Sequence, residues 1–491
     1  MNVMAEDKKT GVEDADGRML IDGVRVAARS GKRSTLVNPS TGKSSMEVAY
    51  GDAEDIDAAV AVARGAFDSG IWSRARAEER AKILWRMADL IDANADALAR
   101  ADTEQMGMPF AFSKVMVGHA AEAFRYYAGW CTKIQGPSSD ISGQEMMGFT
   151  YTRAEPVGVA GLIVPWNAPM LLTSWKIATS LAAGCTSVVK PSEETPLTAL
   201  ALAELLLEAG LPKGVVNVVT GGGEAGAHLA AHRDVDKISF TGSTATGRKI
   251  IQASAGNLKR VTLELGGKSP CVILADADLA KAVPAAAQAM YFNSGQVCTA
   301  GQRLFVQRPV YEQVVAEMVQ IANGIKVGNP YDADTVMGPL VSGRQFGRVC
   351  ELIESARKDG VTIRTGGEKV EGEGFFFRPT VMTEAGRDAR VMREEIFGPA
   401  ICIVPFDDPD TLLEEINDTE YGLSAYIWTR DIERAHRLAA QIQSGVVWIN
   451  SGGLIDYRVP MGGFKASGWG RENGAKGLEA FLETKTVIVT L

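Results

Sequence analysis

Apolar residues recur at helical spacing in much of the first 130 residues of the chain. Behind Asp52 they repeat every three or four positions as far as Phe67, and the same spacing returns over residues 74–100 and 114–130. We therefore predict three helices there and expect the first 150 residues to be mostly helical. Residues 135–148 are rich in glycine, serine and proline, which indicates a turn or the entrance of a hairpin.

From residue 157 onward, short apolar runs alternate with helical segments. The predicted strands are 159–164, 187–190, 215–219 and 237–240, and the predicted helices are 171–183, 196–209, 224–231 and 244–254. A second alternation runs from about residue 261 to residue 450, with a helix over 279–291. This pattern is typical of parallel sheets with crossover helices, which bind ligands at the carboxyl ends of their strands.

The length of the chain requires more than one hydrophobic core. A single core stops growing at roughly 250–300 residues, and this chain has 491. We predict two α/β domains with a cleft between them. The β-rich segment 484–491 needs a partner strand, either from the hairpin region or from another subunit.

Composition excludes several classes of protein. The net charge is −9 and no lysine or arginine run occurs, which disfavours a nucleic-acid partner. The longest apolar stretches fall short of the 18 or so residues of a membrane span, and residues 1–10 lack the apolar core of a secretory signal. Six cysteines without a C-x-x-C pair and four histidines without zinc-ligand spacing predict no metal site. Sparse cysteines indicate a reducing compartment, and we expect the cytoplasm.

Three residues could carry chemistry, and each has a plainer alternative. Cys298 lies between two glycines in a predicted tight loop, where a thiol could act as a nucleophile or simply fill space. Glu264 ends an apolar strand and could be a general base or a solvated edge charge. Asn167 follows the first sheet strand and could donate to an oxyanion or cap the next helix. Cys185 and Cys271 have apolar neighbours and are expected to be packing residues.

A strand, a glycine turn and a helix meet at Gly242–Gly247. This arrangement presents backbone N–H groups to a phosphate, although the spacing is G-x-x-x-x-G and lacks the ending of a P-loop. Lys190 and Glu193, at another strand end, could bind ribose hydroxyls or could be a charge pair at a helix start. Each of these signals is weak by itself.

Together with their neighbours, the candidates form seven motifs in a fixed order. The motifs are Pro165-Trp-Asn-Ala-Pro169, Lys190-Pro-Ser-Glu-Glu-Thr-Pro196, Phe240-Thr-Gly-Ser-Thr-Ala-Thr-Gly247, Leu263-Glu-Leu-Gly-Gly-Lys-Ser-Pro270, Gly295-Gln-Val-Cys298, Glu394-Glu-Ile-Phe-Gly-Pro399 and Pro460-Met-Gly-Gly-Phe-Lys-Ala-Ser-Gly468. With them the chain resembles the NAD(P)-dependent aldehyde dehydrogenase superfamily, from about Asn38 to the C-terminus.

The resemblance implies a covalent route from aldehyde to carboxylic acid. Cys298 would attack the aldehyde, Asn167 and the Cys298 backbone N–H would hold the oxyanion, and Glu264 would activate the water that hydrolyses the thioester. A glutamate at this position favours release of free acid over transfer of the acyl group to coenzyme A. The alternative is a non-catalytic nucleotide-binding protein of the same fold, and esterase activity could accompany the enzyme as a side reaction.

The resemblance also implies the ligand contacts. The cofactor would be NAD, with NADP possible, because the Glu193 carboxylate would repel a 2′-phosphate while Lys190 partly neutralises it. Residues implied in cofactor binding are Ile163, Trp166, Lys190, Glu193, Gly242, Ser243, Gly247, Leu265, Glu395 and Phe397. Residues implied in the substrate tunnel are Ala168, Leu171, Trp175 and Met461, with those around 454–458; Asp456 and Arg458 could pair with each other or meet a polar tail.

The implied fold is α/β and aldehyde dehydrogenase-like, with two parallel-sheet domains and a small β oligomerisation arm. A Rossmann-type dinucleotide-binding domain would span 1–131 and 152–262, the catalytic domain 263–467, and the arm 132–151 and 468–491. The arm implies a homodimer or homotetramer.

Overall fold

The structure is a computed structural model that describes residues 16–142, 147–454 and 456–490. Three features considered in the sequence analysis lie outside the described residues. They are the expected absence of a secretory signal in residues 1–10, the middle of the first arm segment, and the tunnel position Ile455. The strands are β1 Met19–Ile21, β2 Val24–Val26, β3 Arg33–Asn38, β4 Lys43–Ala49, β5 Ser138–Ser142, β6 Met147–Pro156, β7 Val159–Ile163, β8 Thr186–Lys190, β9 Val216–Val218, β10 Lys237–Thr241, β11 Arg260–Glu264, β12 Pro270–Ile273, β13 Arg303–Gln307, β14 Thr362–Thr365, β15 Thr380–Thr383, β16 Ala400–Phe406, β17 Ser424–Trp428, β18 Val446–Ile449, β19 Gly468–Trp469 and β20 Leu482–Thr490.

Helices cover both faces of the two large sheets. They are α1 Ala53–Ser69, α2 Ala77–Ala93, α3 Ala95–Met106, α4 Phe110–Cys131, α5 Pro169–Ala183, α6 Leu197–Glu208, α7 Gly223–Ala231, α8 Thr244–Ser254, α9 Leu279–Tyr291, α10 Tyr311–Gly324, α11 Gly343–Lys358, α12 Arg390–Arg393, α13 Pro409–Asn417, α14 Ile432–Gln441 and α15 Gly474–Glu479. Short 3-10 turns occur at Phe292–Gly295, Arg308–Val310 and Lys465–Ser467. Every helix among the described residues is too short or too polar to cross a membrane.

The first large sheet has the strand order β19-β11-β10-β7-β8-β9-β1-β2. Its five central strands are β11, β10, β7, β8 and β9. They are parallel, as the alternation after residue 157 predicts. One face packs on α1, α7 and α8, and the other on α2, α4, α5 and α6. Because both faces are buried, the central strands consist largely of apolar residues.

The second large sheet has the order β14-β15-β16-β13-β12-β17-β18 and is parallel except for β14. Side chains alternate between its two cores: Val272 packs with α11, α13 and α14, whereas Cys271 and Ile273 pack with α9 and α10. The α/β fold class with two mainly parallel sheets is therefore confirmed. The third sheet, β20-β6-β5, is antiparallel and gives the C-terminal strand its partner, with Lys485 opposite Arg153.

The expectation of a mostly helical N-terminal part holds for residues 53–131 but missed the strands that come before them. Two antiparallel pairs, β1–β2 and β3–β4, precede the first helix, and Leu20 of β1 pairs with Val218 of β9 at the margin of the first sheet. The single helix expected over 74–100 is two helices that meet at Asn94, whose side-chain amide donates to the carbonyl of Leu90 at 2.8 Å. That bond takes up a carbonyl at the end of α2 and lets the chain turn into α3.

The proposed domain limits remain a prediction, although β11 crosses one of them and β19 pairs outside the segment to which sequence assigned it. β11 continues past residue 262 to Glu264, and β19, placed with the arm by sequence, pairs antiparallel with β11 through Leu263 and Trp469. The first sheet therefore takes one strand from the segment that follows the second sheet.

Candidate active site

A cavity of about 530 Å³ lies at the carboxyl end of the first sheet, with residues of the second sheet's domain on its other side. Parallel strands direct their carboxyl ends to one edge, so turns that are distant in sequence converge there. Eleven residues implied by sequence line it: Trp166, Asn167, Trp175, Gly242, Ser243, Glu264, Leu265, Cys298, Glu395, Phe397 and Met461. Those outside its lining are Ile163, Ala168, Leu171, Lys190, Glu193 and Gly247.

Cys298 lies in a loop that is fixed from several sides. After α9 the backbone turns through Asn293 and Ser294, whose φ angles of 51° and 58° are left-handed. The hydroxyl of Ser294 donates to the carbonyl of Gly338 at 2.7 Å, and the side-chain carbonyl of Gln296 accepts the N–H of Val341 at 2.9 Å. These bonds hold the loop in a conformation that costs backbone energy, a common feature of functional sites.

The Cys298 thiol is partly buried and protonated in this state. Burial, followed by the nearby charges of Glu395 and Glu264, raises its pKa to about 12. The thiolate is the nucleophilic form of cysteine, so the protonated Cys298 of this structure is in its less reactive form. Positive charge in the cavity or proton transfer to a neighbouring base would favour the thiolate.

Asn167 lies against the same loop. Its side-chain N–H donates to the carbonyl of Gln296 at 3.0 Å, and its own backbone carbonyl accepts from the Asn293 side chain at 2.8 Å. An amide nitrogen carries two hydrogens, so the bond to Gln296 leaves a second donor. The loops that carry Asn167 and Cys298 are thus joined beside the cavity that both residues line.

Glu264 is the last residue of β11, and its carboxyl group is nearly removed from solvent, with 7% of the residue exposed. Its Oε1 atom is buried without a hydrogen-bond partner among the described residues. Burial first, and then repulsion by Glu472, raise the pKa of Glu264 well above its usual value, while Lys176 and Arg471 oppose the rise. A carboxyl group whose pKa is raised in this way keeps or gains a proton at a higher pH than a solvated glutamate does.

Lys176 and Glu472 form a buried ion pair beside Glu264 that sequence reasoning missed. Glu472 lines the cavity and also accepts from the hydroxyl of Ser239 at 3.0 Å. The available signal was Lys176 itself: it lies in α5, whose other residues are almost all buried, and a buried lysine needs an acidic partner. Other cavity residues missed from sequence include Leu172, Arg248, Gln345, Arg348 and Tyr421.

The turn at the start of α8 can receive a phosphate. Ser243 caps the helix by accepting the N–H of Thr246 at 3.3 Å, and Thr244 and Ala245 line the cavity at its first turn. Gly247 allows α8 to approach the sheet, because a Cβ there would lie 2.7 Å from Cδ2 of Leu265. Gly247 therefore has a packing role in this structure.

On the opposite side, Glu395 accepts the N–H of Gly267 at 3.0 Å. Burial raises the pKa of Glu395 to about 7, and the bond from Gly267 and the charge of Lys268 partly offset that rise. Phe397 has a left-handed φ of 53° and meets Trp166 edge to face, with ring centroids 5.2 Å apart. A hydroxyl-accepting carboxylate beside two aromatic rings fits a nicotinamide ribose and its ring.

Lys190 and Glu193 lie next to Ile163 at the same sheet edge, because Lys190 pairs with Ile163 in parallel register. The Lys190 ammonium is 3.7 Å from the Glu193 carboxylate, and burial lowers its pKa. Arg344, from the other large domain, extends to within 3.9 Å of Glu193. At positions 456–458, Arg458 pairs with Asp456 at 2.5 Å, the plainer of the two sequence-based alternatives.

Comparisons with known proteins agree over nearly the whole chain. Residues 26–487 match the model of the aldehyde dehydrogenase family. Human retinal dehydrogenase 2 is 45% identical over 470 residues, which cover 94% of this chain and 90% of the relative. Phenylacetaldehyde dehydrogenase of Pseudomonas fluorescens is 44% identical over 479 residues, which cover 96% and 95%. The NAD+ complex of an aldehyde dehydrogenase from Bacillus cereus is 44% identical, with a TM-score of 0.96 over 100% of both chains. With this match to the family model and to its full-length relatives, the chain belongs to the aldehyde dehydrogenase family.

Proposed function

We propose that Cys298, Glu264 and Asn167 carry the family's reaction in this chain, the NAD-dependent oxidation of an aldehyde to the carboxylic acid. The observation behind this assignment is a buried, unpartnered carboxylate oxygen on Glu264 in a cavity that Cys298 and Asn167 also line. A nucleophile, a base and an oxyanion donor in one cavity are the parts that acyl chemistry needs.

The first step forms a bond between the Cys298 sulfur and the aldehyde carbon, and the thiol proton leaves to a base. The carbonyl oxygen becomes an oxyanion, which the second N–H of the Asn167 amide is placed to receive. A tetrahedral thiolate adduct expels hydride far more readily than the aldehyde itself. Bound NAD would accept this hydride together with its two electrons. Departure of the hydride from the adduct leaves a thioester on Cys298.

The second step hydrolyses the thioester. Glu264 accepts a proton from water, the hydroxide adds to the acyl carbon, and the carbon–sulfur bond breaks. The products are the carboxylic acid and the Cys298 thiolate, which recovers a proton. The raised pKa of Glu264 supports this role because its carboxylate holds an accepted proton more strongly than a solvated glutamate would.

The residues present fit NAD. The first turn of α8 offers N–H groups to a pyrophosphate, and the carboxylates of Glu395 and Glu193 can accept ribose hydroxyls. We propose that NAD is preferred over NADP because Glu193 would repel a 2′-phosphate. The neighbouring cations of Lys190 and Arg344 reduce that repulsion, so the preference is one of degree.

For the substrate, Trp175, Leu172 and Met461 give the cavity an apolar wall. Leu172 takes the place that sequence reasoning gave to its neighbour Leu171, since successive helix residues differ by about 100° in direction. We propose an aldehyde with an apolar tail, a class that includes the substrates named for retinal dehydrogenase 2 and phenylacetaldehyde dehydrogenase.

The function is tested by turnover in ¹⁸O-labelled water with NAD and a panel of aliphatic, aromatic, amino and carboxylated aldehydes. We expect reduced nicotinamide and acid in equal amounts, with one labelled oxygen in the acid. Cys298→Ala should abolish both products. Glu264→Gln should give one equivalent of reduced nicotinamide per site and then stop, because the thioester persists.

Measurable NAD binding without turnover of any aldehyde would instead favour a non-catalytic nucleotide-binding protein. Labelled acid from the Glu264→Gln variant at the wild-type rate would remove Glu264 from the mechanism while leaving the overall function intact.

We also propose a homodimer or homotetramer and a cytoplasmic location. The three-stranded sheet exposes apolar side chains on both faces, Phe149 and Tyr151 on one and Ile141 and Ile488 on the other. Such a sheet is stable when another surface covers it. All six cysteines are free thiols, which supports a reducing compartment.

A further inference from the structure

Two helices that follow site loops begin without caps of their own. The N-cap of α5 is Ala168, which has no polar side-chain atom, and the first helical residue is Pro169, which has no N–H. The N-cap of α6 is Pro196. The first N–H groups of a helix have no partner within the helix, and a helix that begins in the interior is destabilised unless other groups accept these N–H groups.

Both partners come from α3. Oδ2 of Asp102 accepts the N–H of Met170 at 3.3 Å, and Oε1 of Gln105 accepts the N–H of Leu197 at 3.0 Å. Asp102 and Gln105 are only 2% and 3% exposed. The caps of α5 and α6 are therefore supplied across the fold by one helix, whereas α1, α8, α11, α13 and α14 are capped by the side chain of their adjoining N-cap residue.

The orientation of Asp102 is fixed by its second oxygen. Oδ1 accepts from the hydroxyl of Thr198 at 2.9 Å and from the side-chain amide of Gln105 at 3.1 Å. Burial raises the pKa of Asp102 to about 7, so ionising this carboxyl in the folded chain is costly. A negative charge on Asp102 has a role at this position, because the partial positive charge of the N-terminus of α5 favours an anion.

The capped turn adjoins Asn167. Only Ala168 separates Asn167 from the first residue of α5, and Asn167 is held on its other side by the loop of Cys298. A shift of the first turn of α5 would therefore move the Asn167 amide relative to the sulfur. We propose that Asp102 is a positioning residue that holds Asn167 at the oxyanion site by capping α5; this inference rests on the role proposed above for Asn167.

The Asp102→Asn substitution removes only the hydrogen bond that caps α5. The asparagine oxygen can keep both bonds at the Oδ1 position, because Thr198 and Gln105 donate there. Its NH₂ group then replaces Oδ2 and faces the N–H of Met170, donor against donor. The bonds of Gln105 to Leu197 and Thr198 are untouched, so the turn before α6 and the affinity for NAD should be preserved.

The test is a double-mutant cycle with Asn167→Ala, read as the single-turnover rate of nicotinamide reduction under saturating aldehyde and NAD. We expect Asn167→Ala to slow this rate by about 100-fold or more. Asp102→Asn alone should slow it by about 10-fold, and by less than about twofold in the Asn167→Ala background, because no oxyanion donor is then left to position. The dissociation constant of NAD should stay within about twofold throughout.

Asp55→Asn is the matched control. Asp55 on α1 is also a buried aspartate, 1% exposed; it takes part in the cap of that helix by accepting the N–H of the N-cap residue Asp52 at 3.1 Å, and it accepts the N–H of Arg29 from the segment before β3 at 3.0 Å. Its substitution should leave the single-turnover rate unchanged. If Asp102→Asn fails to fold, as judged by circular dichroism, Thr198→Val weakens the hold on Asp102 and should slow the same rate, again only when Asn167 is present.

Each outcome decides the inference. An unchanged rate in the Asp102→Asn variant, or equal losses with and without Asn167, would overturn the positioning role and leave the proposed function intact. An unchanged rate in the Asn167→Ala variant alone would overturn the oxyanion assignment itself, and the positioning role would fail with it.

Discussion

Glu264 shows how much of this site depends on the burial of single charges. In water its carboxyl group would ionise at about pH 4.3. Here the loss of solvent and the nearby Glu472 keep the proton on to a higher pH. In the proposed mechanism, aldehyde oxidation thus uses a carboxyl group whose ionisation is disfavoured by burial, and the same burial makes its carboxylate a stronger base.

The hydrolytic step should follow the titration of Glu264. The base must be ionised to accept a proton, and its folded-state pKa is raised, so the rate of thioester hydrolysis should rise with pH through a range well above the usual carboxyl pKa. The measurement is acyl-enzyme decay after a rapid pH jump. In the Glu264→Gln variant the slow remaining decay should lose this titration. A wild-type midpoint near pH 4 would show that burial does not control the base.

From sequence alone, individual candidate residues could be named, but the burial and the partners of their side chains could not be predicted. Cys298, Glu264 and Asn167 were named from their motifs, and all three line one cavity. Neither the protonated state of Cys298 nor the orphaned oxygen of Glu264 follows from sequence, because both depend on which side chains approach from elsewhere. Glu472 illustrates the limit: it lies 296 residues from Lys176, and only the fold makes them a pair.

At the scale of elements, the turns after strands set the positions of the catalytic groups. β11 ends at Glu264 and continues into Gly266 and Gly267, where the chain passes close to the Cys298 loop. A Cβ on residue 267 would lie 2.5 Å from the backbone oxygen of Cys298 and 3.2 Å from Cβ of Leu423. The absence of a side chain at residue 267 permits the turn that follows Glu264 to pack against the Cys298 loop.

Gly267→Ala should therefore displace the Cys298 loop. Since backbone atoms cannot move aside as a flexible side chain can, we expect kcat to fall by about 10- to 100-fold. The matched control is Gly118→Ala within α4, where a new Cβ meets no atom within 4 Å. That variant should keep its activity and gain about 0.5–1 kcal/mol of stability from improved helix propensity. Steady-state kinetics and urea unfolding test both, and an unimpaired Gly267→Ala enzyme would contradict the steric argument.

Element prediction succeeded for single helices of moderate length, although the longest predicted helix, over 74–100, is two helices. The helices at Thr244–Ser254 and Leu279–Tyr291 were predicted to the residue. It failed for β1 and β2, which have three residues each and are too short for a periodic signal. A usable sign was nevertheless present: Asp22-Gly23 joins them with φ angles of 52° and 68°, and Asp-Gly is a preferred pair for a two-residue hairpin turn.

For the whole molecule, the alternation of strands and helices was sufficient to predict two parallel sheets with a cleft. It could not show that β19 returns to the first sheet, because a two-residue strand carries no pattern. Nor could it define the exposed faces of the β20-β6-β5 sheet. Those faces emerge only from the register, which places Phe149 opposite Val489 and Thr150 opposite Ile488.

Assembly should depend on that three-stranded sheet. Phe149 is 39% exposed and stacks on Tyr151 at 6.4 Å, so Phe149→Glu would place a charge in any interface formed there. We expect light scattering after size exclusion to show a lower mass for this variant than for wild type. Val24→Glu, at a 52% exposed apolar position on β2, is the control and should keep the wild-type mass. A monomeric wild-type protein would contradict the arm proposal.

The late return of the chain to its first sheet has a consequence during synthesis. Lys176 and its partner Glu472 are 296 residues apart, and the N–H of Val157 donates to the carbonyl of Phe481. At about 5–20 residues per second, a ribosome needs on the order of 15–60 s to cover that interval. Throughout this time the ammonium of Lys176 lacks its carboxylate partner, and from residue 264 onward β11 also lacks its neighbour β19. A nascent chain interrupted between residues 298 and 472 would contain Cys298 and Glu264 and still lack Glu472, so the lining of the proposed active site is complete only after residue 472.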